Sequence, residues 1–147
     1  MRVIWLVVAA MALGHAPHDL RERQGPHVAA TIERVLPAAA DSAYTLRVAI
    51  TVEPGWHIGA PRPGVVGVPT RLAWHPPAGW LLMGERWPTP RQEVTGRDTA
   101  FTYSGSILVE AALVRQQGAR DPIIAVLSYV VCRDICIPGQ LTLTYAR

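Results

Sequence analysis

The chain of 147 residues has few cysteines, few aromatic residues and no lysine. Its only cysteines are Cys132 and Cys136, so the hydrophobic half of the sequence must supply the core without a disulfide framework. The net charge is only +3, and the arginines form neither a run nor a stripe interleaved with aromatic residues. We therefore expect one compact domain that does not bind nucleic acid.

No apolar segment is long enough to cross a membrane as a helix. The best candidate, residues 3–13, has eleven residues where roughly 20 are needed. Arg2 precedes it and the small residues Gly14 and Ala16 follow it, a pattern typical of a secretory signal peptide. We assign residues 1–16 to a signal peptide and residues 17–147 to the mature domain, with an uncleaved anchor as the alternative. Export would place both cysteines in an oxidising compartment.

Several short segments carry strand-like patterns. Residues 44–52 alternate between apolar and polar side chains, and residues 106–114 are too short and too closely bounded by glycines to favour a helix. The turn signals EPGW, HPPAGW, QQGARDP and IPGQ separate most segments. The predicted strands are 28–36, 44–52, 70–74, 100–103, 106–114, 122–131 and 141–145. Seven short strands indicate an all-β fold, an immunoglobulin-like antiparallel β-sandwich.

The cysteine pair has three possible roles, of which the first is a structural staple. A bridge between Cys132 and Cys136 would close a loop of five residues. Such a loop restricts the unfolded chain by about 2 kcal/mol, against nearly 5 kcal/mol for a loop of about 100 residues. The staple reading is thus possible, but it places the one cross-link where it stabilises least.

The second role is metal binding, in which the thiolates would act as ligands. Two sulfurs are too few for zinc, and copper(I) would need both of them or one with a histidine or methionine. The other candidate ligands lie at no diagnostic spacing: His57, His75 and Met83 in the central stretch, and His15 and His18 near the signal peptide. A lone histidine such as His57 is more often a packing residue.

The third role is thiol:disulfide exchange, which needs two sulfurs in bonding reach at an exposed position. The pair lies between the predicted strands 122–131 and 141–145, so the bridge is expected at a hairpin end. Arg133 would favour a thiolate and Asp134 would oppose it. Exchange through a mixed disulfide requires no cofactor. The spacing alone leaves all three roles open.

Five short motifs occur in an order that resembles a known family. They are PGWHI (54–58), GVPTRLAW (67–74), WPTPR (87–91), YSG (103–105) and YVVCRDICIPG (129–139). Together, over residues 44–145, they resemble the N-terminal periplasmic domain of the DsbD family of thiol:disulfide interchange proteins. The CxxxC spacing is similar to branches of that family that are associated with copper tolerance.

The resemblance implies a periplasmic domain, expected as a monomer, that relays electrons from a membrane thiol reductase to thioredoxin-like or isomerase proteins. Since the chain ends at Arg147, the reductase is expected to be a separate protein. By the family pattern, Cys136 exchanges with partners and Cys132 resolves the mixed disulfide. The runner-up is a non-catalytic, copper-handling binding module of the same fold.

The resemblance also implies residues around the disulfide. A cap loop that shields it would correspond to residues 92–97, with Glu93, Val94 and Thr95 at its centre. Arg133 and Asp134 lie between the cysteines. The remaining candidates are Trp56, for which core or edge packing is favoured, and Tyr129, which could face either the sulfur or the core.

Overall fold

The computed structural model describes residues 22–35 and 41–147, and within them it contains eleven β-strands and no helix. None of these residues therefore belongs to a helix of the length and apolarity that a membrane crossing requires. The signal peptide predicted for residues 1–16 lies outside the described residues, as do residues 17–21 of the predicted domain. The strands are β1 (Arg23–Gly25), β2 (Val28–Arg34), β3 (Ala43–Val52), β4 (His57–Gly64), β5 (Arg71–His75), β6 (Trp80–Arg86), β7 (Arg91–Thr95), β8 (Asp98–Tyr103), β9 (Ser106–Arg115), β10 (Ile123–Cys132) and β11 (Cys136–Tyr145).

The strands form two antiparallel sheets. One has five strands in the order β1-β2-β3-β9-β6, and the other has six, of which five follow the order β11-β10-β4-β8-β7 and the sixth is β5. Strand β5 joins the second sheet by pairing with β10. This architecture confirms the predicted all-β class and the immunoglobulin-like antiparallel β-sandwich.

The core lies between the inward faces of the two sheets. In β3, Leu46, Val48 and Ile50 are buried while the intervening residues are more exposed. Strand β10 repeats this alternation from Ile123 to Val131. Because each buried aliphatic side chain contributes about 1.5 to 3 kcal/mol, the two faces supply a core that does not depend on a disulfide.

The structure adds four strands that the sequence analysis did not predict: β1, β4, β6 and β7. Strand β4 reads HIGAPRPG, and its pairing with β8 shifts register between Gly59 and Gly64, so its two prolines fall in the irregular part. Proline is tolerated there because no ladder hydrogen bond is needed from it. Single-sequence patterns therefore favour a loop at this position.

The expected turn at IPGQ is wrong, because β11 runs through it. Pro138 pairs with Val130, and Gly139 pairs with Tyr129 in an unbroken ladder. Strand β11 is the outermost strand of its sheet, where a proline can leave its missing N–H on the unpaired side. Tyr129 packs across Gly139, where any side chain would overlap its ring.

Candidate functional site

The two cysteines form a disulfide that closes the end of the β10–β11 hairpin. Cys132 and Cys136 are the last of ten directly opposed pairs, and their Cα atoms lie 4.1 Å apart. The hairpin position predicted from the sequence is therefore confirmed. The other nine pairs hold the two strands together without the sulfurs, so opening the bond leaves the ladder intact.

The disulfide lies on the outer face of the six-stranded sheet. Strand β10 points Tyr129 and Val131 into the core, so Val130 and Cys132 point outwards. Cys132 is half-buried, whereas Cys136 is exposed. In the connecting residues 133–135, the side chain of Ile135 is 63% exposed. A protein or small thiol can therefore reach the Cys136 side of the bond more directly than the Cys132 side.

Cys132 has a second cross-strand neighbour, His57. Strand β4 pairs with β10 so that His57 lies opposite Cys132, on the side away from Cys136. Directly opposed residues of an antiparallel pair project from the same face, with Cβ atoms about 4.5 to 5.5 Å apart. Cys136, Cys132 and His57 thus form one row across three adjacent strands. The sequence analysis treated His57 as a packing residue, because the pairing of β4 with β10 is a long-range contact that no local pattern reveals.

A cleft of about 230 Å³ opens beside Cys132 on the same face. Its lining is mostly apolar, and His57 and Glu93 are its charged or titratable members apart from the cysteine. The lining residues are His57, Gly59, Pro63, Val66, Gly67, Val68, Glu93, Ala100, Phe101, Thr102, Val130 and Cys132. Cys136 is not among them, so the cleft distinguishes the two sulfurs.

One wall of the cleft is the segment 64–69, which turns back over β4. Pro69 forms an isolated bridge with Gly59, and a Cβ atom at Gly59 would overlap the carbonyl oxygen of Val68. Glycine at position 59 thus permits this close approach. The segment exposes apolar side chains at Val66 and Val68 next to the disulfide.

The residues predicted as a cap loop form a regular strand. Glu93, Val94 and Thr95 belong to β7, which is the outermost strand of its sheet and pairs with β8. Glu93 lines the cleft together with Cys132, whereas Val94 is 65% exposed and lines no part of it. An irregular loop at residues 92–97 is therefore replaced by a β-hairpin whose turn follows Thr95.

Trp56 packs in the core and also supports the disulfide loop. Its ring stacks on that of His27 at a centroid distance of 3.8 Å, and the guanidinium of Arg133 lies 4.8 Å from its centroid. Nδ1 of His27 lies 2.7 Å from a carboxylate oxygen of Glu53. These contacts fix one side of the loop that separates the cysteines. Both readings of Trp56, as a packing residue and as a neighbour of the disulfide loop, apply together.

The two remaining predicted neighbours have different surroundings, since Tyr129 is buried and Asp134 is exposed. Tyr129 is only 3% exposed and faces the core, where its hydroxyl donates to the carbonyl oxygen of Pro26. Burial raises the pKa of this phenol above its ordinary value. Cys132 is the third residue after Tyr129 along the strand, which places their side chains on opposite faces. Asp134 is highly exposed and lies 3.5 Å from Arg133.

Within residues 22–35 and 41–147, no group of three or more histidine, cysteine, aspartate or glutamate side chains is arranged to hold a metal ion. The site therefore comprises an exposed disulfide, a histidine beside one of its sulfurs, and an apolar cleft with one carboxylate. This combination on a β-sandwich defines the class as a domain with a surface cysteine pair open to thiol chemistry.

Comparison with known proteins gives the family. The model of the N-terminal domain of the thiol:disulfide interchange protein DsbD matches residues 28–145, and the chain belongs to this family. The comparison with curated proteins finds no match. The family assignment confirms the resemblance noted in the sequence.

Two solved structures share the fold. The N-terminal periplasmic domain of ScsB from Proteus mirabilis is 17% identical, with a TM-score of 0.64 over 85% of this chain and 49% of that one. The N-terminal domain of DsbD from Neisseria meningitidis, in its reduced form, is 16% identical, with a TM-score of 0.50 over 75% of this chain and 81% of that one. The chain thus spans about half the length of the ScsB structure.

Proposed function

We propose that this chain is an exported, periplasmic module that passes electrons from a membrane thiol reductase to thioredoxin-like or isomerase proteins. Cys132 and Cys136 are its redox couple. The observation that carries this proposal is a disulfide exposed at a hairpin end in a chain of the DsbD N-terminal family. Export rests on the signal peptide pattern in residues 1–16.

The reaction consists of two exchanges of sulfur bonds. In the reduced module, the Cys136 thiolate attacks a disulfide of the acceptor, which forms a Cys136–acceptor bond and releases one acceptor thiolate. Cys132, as a thiolate, then attacks Sγ of Cys136 and releases the second acceptor thiolate. Two electrons pass to the acceptor, both released thiolates take up protons, and the Cys132–Cys136 bond is formed. The reductase reverses these steps, and no cofactor takes part.

The different exposure of the two sulfurs supports these roles. The exposed Cys136 can meet a sulfur of another protein, whereas Cys132 is half-buried between Cys136 and His57. A resolving cysteine needs to reach only the sulfur next to it. Cys132 therefore suits the intramolecular step and Cys136 the intermolecular one.

The small structural value of the bond also supports a redox role. The bond closes a loop of five residues at the end of a ladder with nine further pairs. Breaking the bond removes a restriction on the unfolded chain and so lowers the free energy of unfolding by only about 2 kcal/mol. The sandwich can therefore remain folded with the dithiol, as a carrier must.

We assign the shielding role of the cap to the β7–β8 hairpin. Glu93 lines the cleft, and Val94 and Thr95 continue the outermost strand, which pairs with β8. A strand held at one edge can shift with less loss of hydrogen bonding than a central strand. Its movement would widen the cleft beside Cys132.

Trapping in the cell envelope tests the proposed function. Cys132→Ala leaves Cys136 exposed without its resolving sulfur, so mixed disulfides with partner proteins should accumulate and disappear on reduction. The matched control is Cys136→Ala, which keeps one thiol but leaves it half-buried, and it should trap far less. Equal trapping by the two variants would contradict the assigned roles. An empty Cys132→Ala trap from cells with an active wild type would contradict the function itself.

A further inference from the structure

We propose that His57 is the proton acceptor for Cys132 in the resolving step. It takes the Cys132 thiol proton as this sulfur attacks the mixed disulfide on Cys136. This inference rests on the proposed function, because it assigns a role within that exchange. His57 lies outside the pair of sulfurs that the family resemblance names as reactive.

The register of three strands places His57 beside one sulfur only. On β10, Cys132 has Cys136 of β11 on one side and His57 of β4 on the other. His57 and Cys132 also line the same cleft, so both side chains project from the same face into the same space. Strand β10 lies between the strands of His57 and Cys136. His57 is therefore the cross-strand neighbour of the resolving sulfur and not of the sulfur that attacks the partner.

The surroundings of Cys132 make an unassisted thiolate unfavourable. The cleft walls include Val66, Val68, Phe101 and Val130, and Cys132 is half-buried against them. Apolar surroundings disfavour the charged form of a thiol. Cys136 projects outside the cleft, where water stabilises its thiolate. A nearby base thus matters for the second step of exchange and little for the first.

One charged side chain shares the cleft with His57. Glu93 of β7 is the charged residue that lines the cleft with it. Arg133 follows Cys132 but is drawn over Trp56, and Asp134 lies 3.5 Å from Arg133. Histidine is the side chain whose charge changes most readily near neutral pH, which suits a reversible acceptor.

The step balances without any further reactant. Imidazole of His57 receives the proton from the Cys132 thiol, and the Cys132–Cys136 bond forms as the bond from Cys136 to the partner breaks. The electron pair of that broken bond leaves on the partner sulfur. The imidazolium then returns the proton to the departing thiolate, directly or through water. In the direction of reduction the same residue supplies the proton to Cys132 as it leaves.

A two-step exchange with a coloured disulfide tests the proposal. When the reduced protein reacts with excess dithiobis(nitrobenzoate), attack by Cys136 releases one coloured thiolate at a rate proportional to reagent. Resolution by Cys132 releases the second at a rate independent of it. His57→Gln should slow the second release by roughly a hundredfold at neutral pH, the low end for a positioned base, and leave the first within about twofold. In the wild type, the rate of the second release should fall between about pH 8 and about pH 5, and the shape of this pH dependence should differ in His57→Gln.

The matched control is His75→Gln. His75 lies on β5 opposite Ile124 of β10, at the far end of β10 from the disulfide. The substitution should leave both rates unchanged. A second readout uses the Cys136→Ala protein, in which the alkylation rate of Cys132 by iodoacetamide should depend on His57. If His57→Gln leaves the second release, its pH profile and the alkylation of Cys132 as in wild type, the proposal is wrong. A wild type that fails to react with protein partners, while alkylation still depends on His57, would instead contradict the proposed function alone.

Discussion

At the scale of residues, the two sulfurs of one bond have different surroundings. Cys136 is exposed and Cys132 is half-buried beside His57 and the cleft. Ile135, at the tip between them, carries a large apolar side chain that is mostly exposed. When a partner protein covers an apolar side chain next to the sulfur, the buried apolar surface stabilises the complex. A small thiol offers no such cover.

Ile135→Ser should therefore slow exchange with a protein more than exchange with a small thiol. We expect roughly a fivefold lower rate with a protein recovered by Cys132→Ala trapping, equivalent to about 1 kcal/mol of apolar contact. The rate with dithiothreitol should stay within about twofold, since the backbone and the sulfurs are unchanged. Stopped-flow tryptophan fluorescence can follow both reactions.

The control is Leu108→Ser on the five-stranded sheet, which removes an apolar side chain of similar exposure from β9, a strand of the other sheet. It should change neither rate. An equal effect of Ile135→Ser on dithiothreitol and on the protein partner would show that Ile135 acts on the sulfurs and does not contact the partner.

The hairpin position of the cysteine pair could be predicted from the sequence, but the places of Tyr129 and His57 beside it could not. The hairpin position of Cys132 and Cys136 followed from two local strand patterns, and the structure confirms it. The place of Tyr129 depends on counting residues along β10 from a known inward position, which needs the register of the strand. His57 needs a pairing between strands more than seventy residues apart, so no window of sequence contains the signal.

At the scale of elements, β4 and the segment that follows it shape the site. The first residues of β4 pair with β10 and bring His57 to the disulfide, and the segment 64–69 then crosses the outer face over Gly59. The position of this segment determines the wall of the cleft next to Cys132. Gly59 is the point at which the two backbones meet most closely.

Gly59→Ala should displace this segment. Its methyl group would overlap the carbonyl oxygen of Val68, so we expect a loss of about 1 to 3 kcal/mol in the free energy of unfolding. Because the cleft wall moves, the alkylation rate of Cys132 in the Cys136→Ala protein should change as well. Urea denaturation and the alkylation assay measure the two effects.

Gly84→Ala on β6 is the matched control, because a Cβ atom there meets no other atom within 4 Å. It should leave the free energy of unfolding unchanged or raise it by up to about 1 kcal/mol. If Gly59→Ala behaves like Gly84→Ala, the segment 64–69 does not depend on the close approach at Gly59.

The elements whose bounds the sequence predicted best are the long strands with a regular apolar alternation. Strands β3, β9 and β10 each bury every second residue against the opposite sheet. The predicted bounds of each strand lie within one residue of the observed bounds. Strand β7 reads RQEVT and buries no side chain fully, and β4 contains two prolines. Such strands are held by pairing with neighbours, which composition does not encode.

At the scale of the whole molecule, the core and the disulfide occupy different parts of the sandwich. The core lies between two sheets of five and six strands, and the disulfide is on the outer face of the second, at the last pair of its longest ladder. The packed core that stabilises the protein is thus separate from the disulfide that is proposed to react. A domain built in this way can exist in both redox states with the same architecture.

The reduction potential of the Cys132–Cys136 bond tests this account most directly. Equilibration of the protein with dithiol buffers of known potential, followed by alkylation and separation of the two forms, measures it. Far-ultraviolet circular dichroism of each form checks that the sandwich persists. The account predicts a potential between about −120 and about −270 mV, in the range of proteins that exchange disulfides, with the fold unchanged on reduction. A potential below about −300 mV, the range of structural disulfides, would contradict it.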